Sequence, residues 1–587
     1  MKNILVTTAI EETWGNVDDN QIFLGEWCKS YDKRHLLNNK NESTLSHHWE
    51  NRKKFKKDYF YLDELNERVL ASLSKALNSY HGTDKDSKYW RIVVGPWLLH
   101  FLASTWSHWE SIRIAFENNS IDETYVLECD TQRQVPSNSL EAIIQFGESH
   151  IWNHLLCARI LKCHYSYGVT IKKLPYSKVE YNDHSCNNGK KSIKDIATIF
   201  LSRIFKKIQK KQKVVFFSSY FRLRALVKIT LKIGQLPIIN DEFNDVITMP
   251  SVSISSRKAV INLDDKNEFE LFIKNNIISY IPISHLEGYN KIINKSKSIL
   301  PFCDVIFTAT GHWYNDFFKV WCAEKVEQGK KLITSSHGGS IAYSSMIFLH
   351  EEKISNVKVV WGTPIDGRQL RLPPNKILGH KHVNKNLKRC FISIIGLEDS
   401  LYVYRCKSGP NSSMILNDYS QKVEFIKRLD IKIQKKILVR PYSNKGWNTR
   451  QRYIDEFGIN KISKHKTLLE QFNHSKIIVC TYPETTLFEA MYSGVPTILL
   501  YVEDYWDSFY PQFGDLINKM KEAEIIFSDP FDAAHHINKI WDNPYKWWHS
   551  EKVIYAREYF FEMCGSVDNN WINEWSDFFK EELKSTN

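Results

Sequence analysis

One stretch of the chain leaves little choice of fold: Ile477-Ile478-Val479-Cys480-Thr481-Tyr482-Pro483-Glu484-Thr485-Thr486-Leu487-Phe488-Glu489-Ala490-Met491-Tyr492-Ser493-Gly494-Val495-Pro496-Thr497-Ile498. A short apolar run ends near Cys480, a brief helix begins near Thr485, Gly494 supplies a left-handed stop, and Val495 opens the next apolar run. This is a strand–helix–strand unit of a parallel sheet. The start of its helix points out of the carboxyl edge of that sheet. There the unpaired N–H groups and the positive end of the helix dipole, with the hydroxyls of Thr481, Thr485 and Thr486 nearby, suit a phosphate. Glu489, one turn further on, can accept hydrogen bonds from ribose hydroxyls. The plainer reading makes Glu484 a helix cap and nothing more.

Other short apolar runs alternate with helical patterns in the same way. Ile4–Val6, Val214–Phe217, Val305–Thr308 and Lys331–Thr334 read as strands, with helices over Tyr220–Ile233 and Gly311–Glu327. A second set comprises Cys390–Ile395, Lys436–Val439, Lys476–Cys480 and Thr497–Tyr501, after a linker marked by Pro373 and Pro374. The expected class is therefore α/β, with two Rossmann-like doubly wound domains facing across a cleft. The N-terminal domain, with helical insertions, is assigned to 1–345, the C-terminal nucleotide-sugar-binding domain to 346–560, and a last helix in 561–587 to packing back on the first domain. A helix through Trp97–Leu102, Trp106 and Trp109 is expected to start at Pro96. Tyr555–Glu582 reads as helical and rich in Trp and Phe.

Ligands of such sheets bind beyond the carboxyl ends of the strands. Three further groups stand there. Ser336-His337-Gly338-Gly339 follows the strand Lys331–Thr334; the glycines let backbone approach an anion, and His337 can donate to phosphate or act as an acid toward a departing nucleotide. Arg440 and Tyr442 follow Lys436–Val439, with Arg440 placed to meet a phosphate or carboxylate. Glu11, Glu12 and Glu26 follow the first strand and offer a general base for an acceptor hydroxyl, with Glu12 favoured and capping as its structural alternative. No metal site is expected, and no cofactor.

A net charge of +12 favours anionic ligands. The basic residues are spread along the chain without a nucleic-acid module, so nucleic acid is not an expected partner. A basic amphipathic helix at Ser192–Ile208 suits peripheral contact with an inner membrane, or packs on the N-terminal domain. The opening Met1–Val6 is too short for a leader, no run of 18 apolar residues occurs, and the 11 cysteines form no C-x-x-C pair. A cytoplasmic placement is expected.

The opening Thr7-Thr8-Ala9-x-Glu11-Glu12-Thr13-Trp14, then Phe23-Leu24-Gly25-Glu26-Trp27-Cys28, His337-Gly338-Gly339 and Tyr482-Pro483-Glu484-Thr485-Thr486 with Glu489-Ala490, resembles a transferase family of bacterial O-antigen and capsule gene clusters. The last of these motifs is also similar to the nucleotide-sugar motif of GT-B glycosyltransferases, with closer spacing between the two glutamates. The resemblance implies a GT-B fold. It implies transfer of Kdo or a nonulosonic acid from a CMP donor to a surface polysaccharide or lipopolysaccharide, a glycan or glycolipid acceptor, Arg440 on the donor carboxylate, and Thr485 and Thr486 on the CMP phosphate. A CDP-polyol phosphotransferase on the same fold and a non-catalytic polysaccharide-assembly scaffold remain alternatives, and the choice between retention and inversion stays open.

Overall fold

The computed structural model describes residues 1–585 apart from 177–201 and the short stretches 17, 38–40, 129–133, 166–167, 203, 210, 253–256, 258–259, 299–302, 340, 342–343, 379–382, 384–386, 388 and 507–509. Most of the expected helix at Ser192–Ile208 lies outside the described residues.

Among the described residues the chain builds three five-stranded sheets. Sheet one contains β1 (Asn3–Val6), β2 (Asn20–Phe23), β3 (Glu42–Thr44), β4 (Glu123–Glu128) and β5 (Thr170–Pro175), in the order β3-β2-β1-β4-β5. Sheet two contains β6 (Val214–Phe216), β7 (Val305–Thr308), β8 (Lys331–Ser335), β9 (Val357–Val360) and β10 (Gln369–Arg371), laid down in sequence order. Sheet three contains β11 (Phe391–Ile395), β12 (Ile437–Arg440), β13 (Ser475–Cys480), β14 (Thr497–Leu500) and β15 (Ile526–Phe527), in the order β12-β11-β13-β14-β15. Every pairing among these strands is parallel.

The α/β class with parallel sheets is as expected, and sheets two and three face across a cleft in the GT-B arrangement. The number of sheets is one greater than expected. Sheets one and three reverse direction at a switch point, whereas sheet two runs one way and is not doubly wound. The boundary set at 345 falls inside sheet two, because β9 pairs with β8 and β10 with β9. Sheet one is hard to see in sequence because its strands are short and two long helices interrupt it, α1 (Arg52–His81) and α2 (Ser87–Asn118).

Pro96 lies inside α2, not in its first turn. Proline removes one backbone bond and clashes with the preceding turn. Burial of α2 from Tyr89 to Ile112 on nearly every side holds the helix together through that defect.

Four more helices pack on sheets two and three, three of them lining the cleft between those sheets, and a fifth, α3 (Leu223–Lys232), starts at its edge; it is shorter than expected because Ser218 and Tyr220 take positive φ. In chain order the four are α4 (Asp316–Glu327), α5 (Met346–Ile354), α6 (Thr485–Ser493) and α7 (Glu551–Cys564). Gly311–Glu327 is not continuous: Asn315 breaks it and caps α4 by accepting the Phe318 N–H at 2.8 Å. Gly565, with φ of 127°, separates α7 from α8 (Trp571–Lys584), so the final aromatic segment is two helices.

Helix α8 packs back on sheet two. Trp575, Phe578 and Phe579 cover Phe216, Phe307 and Val359, and Trp575 Nε1 donates to the Pro373 carbonyl at 3.0 Å. Pro373 and Pro374 are thus buried structure and not a linker. The other face of sheet two, with Val215, Ile306 and Leu332, joins the large core shared with α1, α2 and α4.

Candidate active site at the cleft between sheets two and three

The strand–helix–strand unit forms as its residues dictate. β13 ends at Cys480, α6 starts at Thr485, and Gly494 closes it at φ 72°. Glu484 occupies the N-cap position without a side-chain cap hydrogen bond, so no carboxylate covers the helix start. The loop after β8 comes across from sheet two to meet it. Ile341 N–H donates to the Pro483 carbonyl at 3.0 Å, and a Cβ added to Gly338 would collide with Thr485 Oγ1. Gly339 lies against Phe488 and Trp361, where an added Cβ would be 3.2 Å from each ring. The glycines are therefore required by the close approach of the two lobes.

A cavity of about 160 Å³ opens here, lined by Ser336, His337, Gly338, Gly339, Glu484 and Thr485. Sequence reasoning missed its other polar members. Arg405, Glu352 and Lys358 line it too, with Trp313, Trp361, Phe348 and Tyr510 as aromatic walls. Arg405 sits in the loop that follows β11, so the strand-end rule applied to that loop would have found it. Lys358 and Glu352 carry no such signal, since they lie within a strand and a helix.

His337 meets the edge of Trp313, with ring centroids 4.9 Å apart. Burial, with Lys376, Lys358 and His312 nearby, lowers its pKa to about 4 against the opposing pull of Glu351. At neutral pH it is a neutral imidazole. Behind it Glu351 is fully buried and receives Trp313 Nε1–H at 3.1 Å, with Lys358 Nζ at 3.3 Å. Glu484 is shifted in the other direction. Burial raises its carboxyl pKa, while Lys407 and Arg405 pull it down and Asp399 pushes it up. Lys407 and Arg405 both pair with Asp399, at 2.8 and 3.1 Å. The cavity thus combines cationic groups, a helix start, a neutral histidine and a carboxyl that resists ionisation, which is the equipment for anion binding and proton transfer.

The remaining predicted residues stand elsewhere. Thr481 Oγ1 donates to the Ile395 carbonyl at 2.9 Å, and Thr486 Oγ1 bonds Tyr482 OH at 2.7 Å. Arg440 is spent on backbone, donating to the His465 and Lys466 carbonyls at 2.6 and 3.2 Å, and is not brought to the cavity. Tyr442 is half exposed near the same edge. Glu489 faces away from this cavity and pairs with Lys376 at 3.1 Å, lining a second cavity of about 220 Å³ with Arg222, Thr467, Leu468, Phe472 and Tyr492. Glu11, Glu12 and Glu26 do not line either cavity. They follow strands of sheet one, whereas the cavity is built between sheets two and three. Glu11 pairs with Lys33, and nearby Tyr31 OH reaches Asp455 on sheet three's side at 2.8 Å.

Comparison with known proteins places residues 3–579 in a match to the profile described as LIC12162 family transferase. No curated protein matches the chain. Among solved structures, the wall teichoic acid polymerase TagF is 12% identical, with 67% of this chain and 96% of that chain covered at a TM-score of 0.33. The S. aureus MnaA–UDP structure is 11% identical, covering 64% and 97% at a TM-score of 0.37, and Acinetobacter baumannii MurG is 10% identical, covering 63% and 99% at 0.30.

Proposed function

The chain belongs to the LIC12162 transferase family, and from that premise we propose that it moves a sugar from a nucleotide-activated donor held at the start of α6. One observation carries the reading: the Ser336–Gly339 loop closes on an uncapped helix N-terminus beside Arg405 and Glu484. Donor phosphate lies against the Thr485 N–H and hydroxyl. The nucleoside follows α6 toward Glu489 and the second cavity, since neither cavity alone reaches the roughly 300 Å³ at which small-molecule sites begin.

For the reaction, the acceptor oxygen forms a bond to the anomeric carbon while the bond from that carbon to the phosphate oxygen breaks. The nucleotide leaves with the electron pair, and Glu484 takes the acceptor proton. His337, neutral, donates a hydrogen bond to the leaving phosphate. We assign the donor to the CMP sugars, Kdo or a nonulosonic acid, and the acceptor to a surface polysaccharide or lipopolysaccharide. The support is Arg405, a guanidinium in the cavity wall that suits a donor carboxylate in addition to its phosphate, whereas Lys358 is held by Glu351 and Glu352. Arg405 replaces Arg440 in that role.

Thermal-shift titration with CMP, CDP, UDP and GDP tests the reading, because a ligand of the folded state raises the melting temperature. A selective response to CMP supports it. A selective CDP response moves the assignment to polyol phosphate transfer, UDP or GDP overturns the donor class, and silence toward every nucleotide favours the scaffold.

A further inference from the structure

Helix α3 carries apolar side chains on two faces. Ala225, Ile229 and the following Ile233 are buried in the core formed by sheet two and α8. On the outside, Leu223 and Leu231 are 46% and 57% exposed, and Val227 is half-buried between them. A spacing of four places the three in one row along the helix. One position on, Arg224, Lys228 and Lys232 form a second, exposed row. No acidic residue occurs in Leu223–Lys232, and among the described residues none of these three cations is seen in an ion pair. Lys228 instead lies over the Trp571 ring, 6.0 Å from its centroid.

The surface continues past both ends of the helix. Beyond the C-terminus, Leu236 N–H donates to Gln209 Oε1 at 2.8 Å, which brings helical residues 204–208 alongside. Ile204 and Ile208 there are 40% and 69% exposed, and Lys207 is exposed with them. At the N-terminal end, Tyr220 faces His337 with ring centroids 5.9 Å apart, and Arg222 lines the cavity that holds Glu489. A ten-residue helix spans about 15 Å, so the apolar and basic rows run outward from the rim of the cleft.

We propose that α3 seats the protein on an anionic membrane surface. Leu223, Val227 and Leu231 enter the boundary of the acyl chains, and Arg224, Lys228 and Lys232 meet the headgroup phosphates. A narrow apolar row flanked on the same helix by flexible cations, with no acid, matches a fluid surface that is apolar beneath and anionic above. The cleft mouth then opens at the membrane, where a lipid-linked glycan is presented. The surface stands whatever the donor is.

Co-sedimentation of the full chain with vesicles of equal parts phosphatidylglycerol and phosphatidylcholine, and with phosphatidylcholine alone, tests this. The chain is expected to bind the anionic vesicles, and to lose binding on neutral ones and at high salt. In R224Q/K228Q/K232Q binding falls about 100-fold, at about fivefold per cation; in L223Q/L231Q it falls about tenfold. Both variants keep the wild-type melting temperature. No sedimentation with anionic vesicles overturns the proposal, as an acidic protein occupant would produce, and so does equal binding by both variants. Nucleotide thermal shifts on the same variants stay as in wild type, so the donor reading and the membrane reading fail separately.

Discussion

Gly338 lies so close to Thr485 that a Cβ on the glycine would collide with the threonine hydroxyl. One residue belongs to the loop after sheet two's central strand and the other starts a helix of sheet three, so this contact sets the spacing of the lobes. In Gly338→Ala the threonine hydroxyl must rotate away from the site. Nucleotide affinity is expected to fall about tenfold, the order of one lost charge-assisted hydrogen bond, with a drop of a few degrees in melting temperature. In a Thr485→Ala background the same glycine change costs less than half as much stability, since the atom it strikes is gone. Isothermal titration and thermal melts of the four proteins form a double-mutant cycle, and strict additivity would refute the contact.

The proton acceptor can be tested by comparing two glutamates. Glu484→Gln removes a carboxyl inside the cavity without changing its shape, and kcat is expected to fall by about 100-fold or more with nucleotide affinity changed less than threefold. Because Glu484 is raised above the usual carboxylate range by burial, the rate limb that rises with pH belongs to it and disappears in the variant. Glu12→Gln, in the turn that follows β1 of sheet one, leaves kcat/KM within about twofold of wild type. A large loss in Glu12→Gln would return the base to the N-terminal loop.

The contrast between those two residues also marks where sequence reading succeeds. The unit from Cys480 to Gly494 is encoded locally: an apolar run, Pro483 before the helix, and a glycine that takes φ of 72°. Its outcome does not depend on distant packing. The role of Glu12 does, because it rests on which sheets share a cleft, and β1 to β3 offer only three or four residues each as a signal. Pro96 illustrates the same limit. Its local preference for a helix start is overridden by neighbours more than a hundred positions away, among them His350, which closes on Gly95. Arg405 could have been found from its loop after β11, whereas Lys358 reaches the cavity only through the pairing of β9 with β8.

Helix α8 is a structural part of sheet two. Trp575 is fully buried, stacks on Phe579 with centroids 5.8 Å apart, and bonds the Pro373 carbonyl. Trp575→Ala opens a large cavity and leaves that carbonyl without its donor, so a destabilisation of about 3–5 kcal/mol is expected. Urea unfolding followed by far-UV circular dichroism measures it. A change below about 1 kcal/mol would mean that sheet two holds without its covering helix.

Acid stability should be governed by buried histidines. Burial lowers the pKa of His100, His108, His150, His154 and His337 to about 4, against about 6.5 in the unfolded chain. Between those limits the unfolded state binds more protons than the folded one, so stability rises with pH. The contribution is complete above about pH 6.5 and is lost as pH falls toward 4. Asp399 and Glu67, held at about 2 by their cationic partners despite burial, lose their contribution only as pH falls below about 5, whereas Glu484 and Asp418, raised by burial, act in the opposite sense, so between about pH 6.5 and 5 a single histidine is read from the difference between wild type and its variant. His154 is the cleanest probe: Nε2 accepts the Leu127 N–H at 3.1 Å, which leaves Nδ1 to donate to Thr7 Oγ1 at 3.3 Å. In His154→Gln the amide can keep one of these bonds and cannot titrate. The slope of unfolding free energy against pH in that window is expected to shrink by up to one proton, about 1.4 kcal/mol per pH unit. Urea titrations at half-unit steps read this slope, and an unchanged slope would mean that His154 is already protonated in the fold.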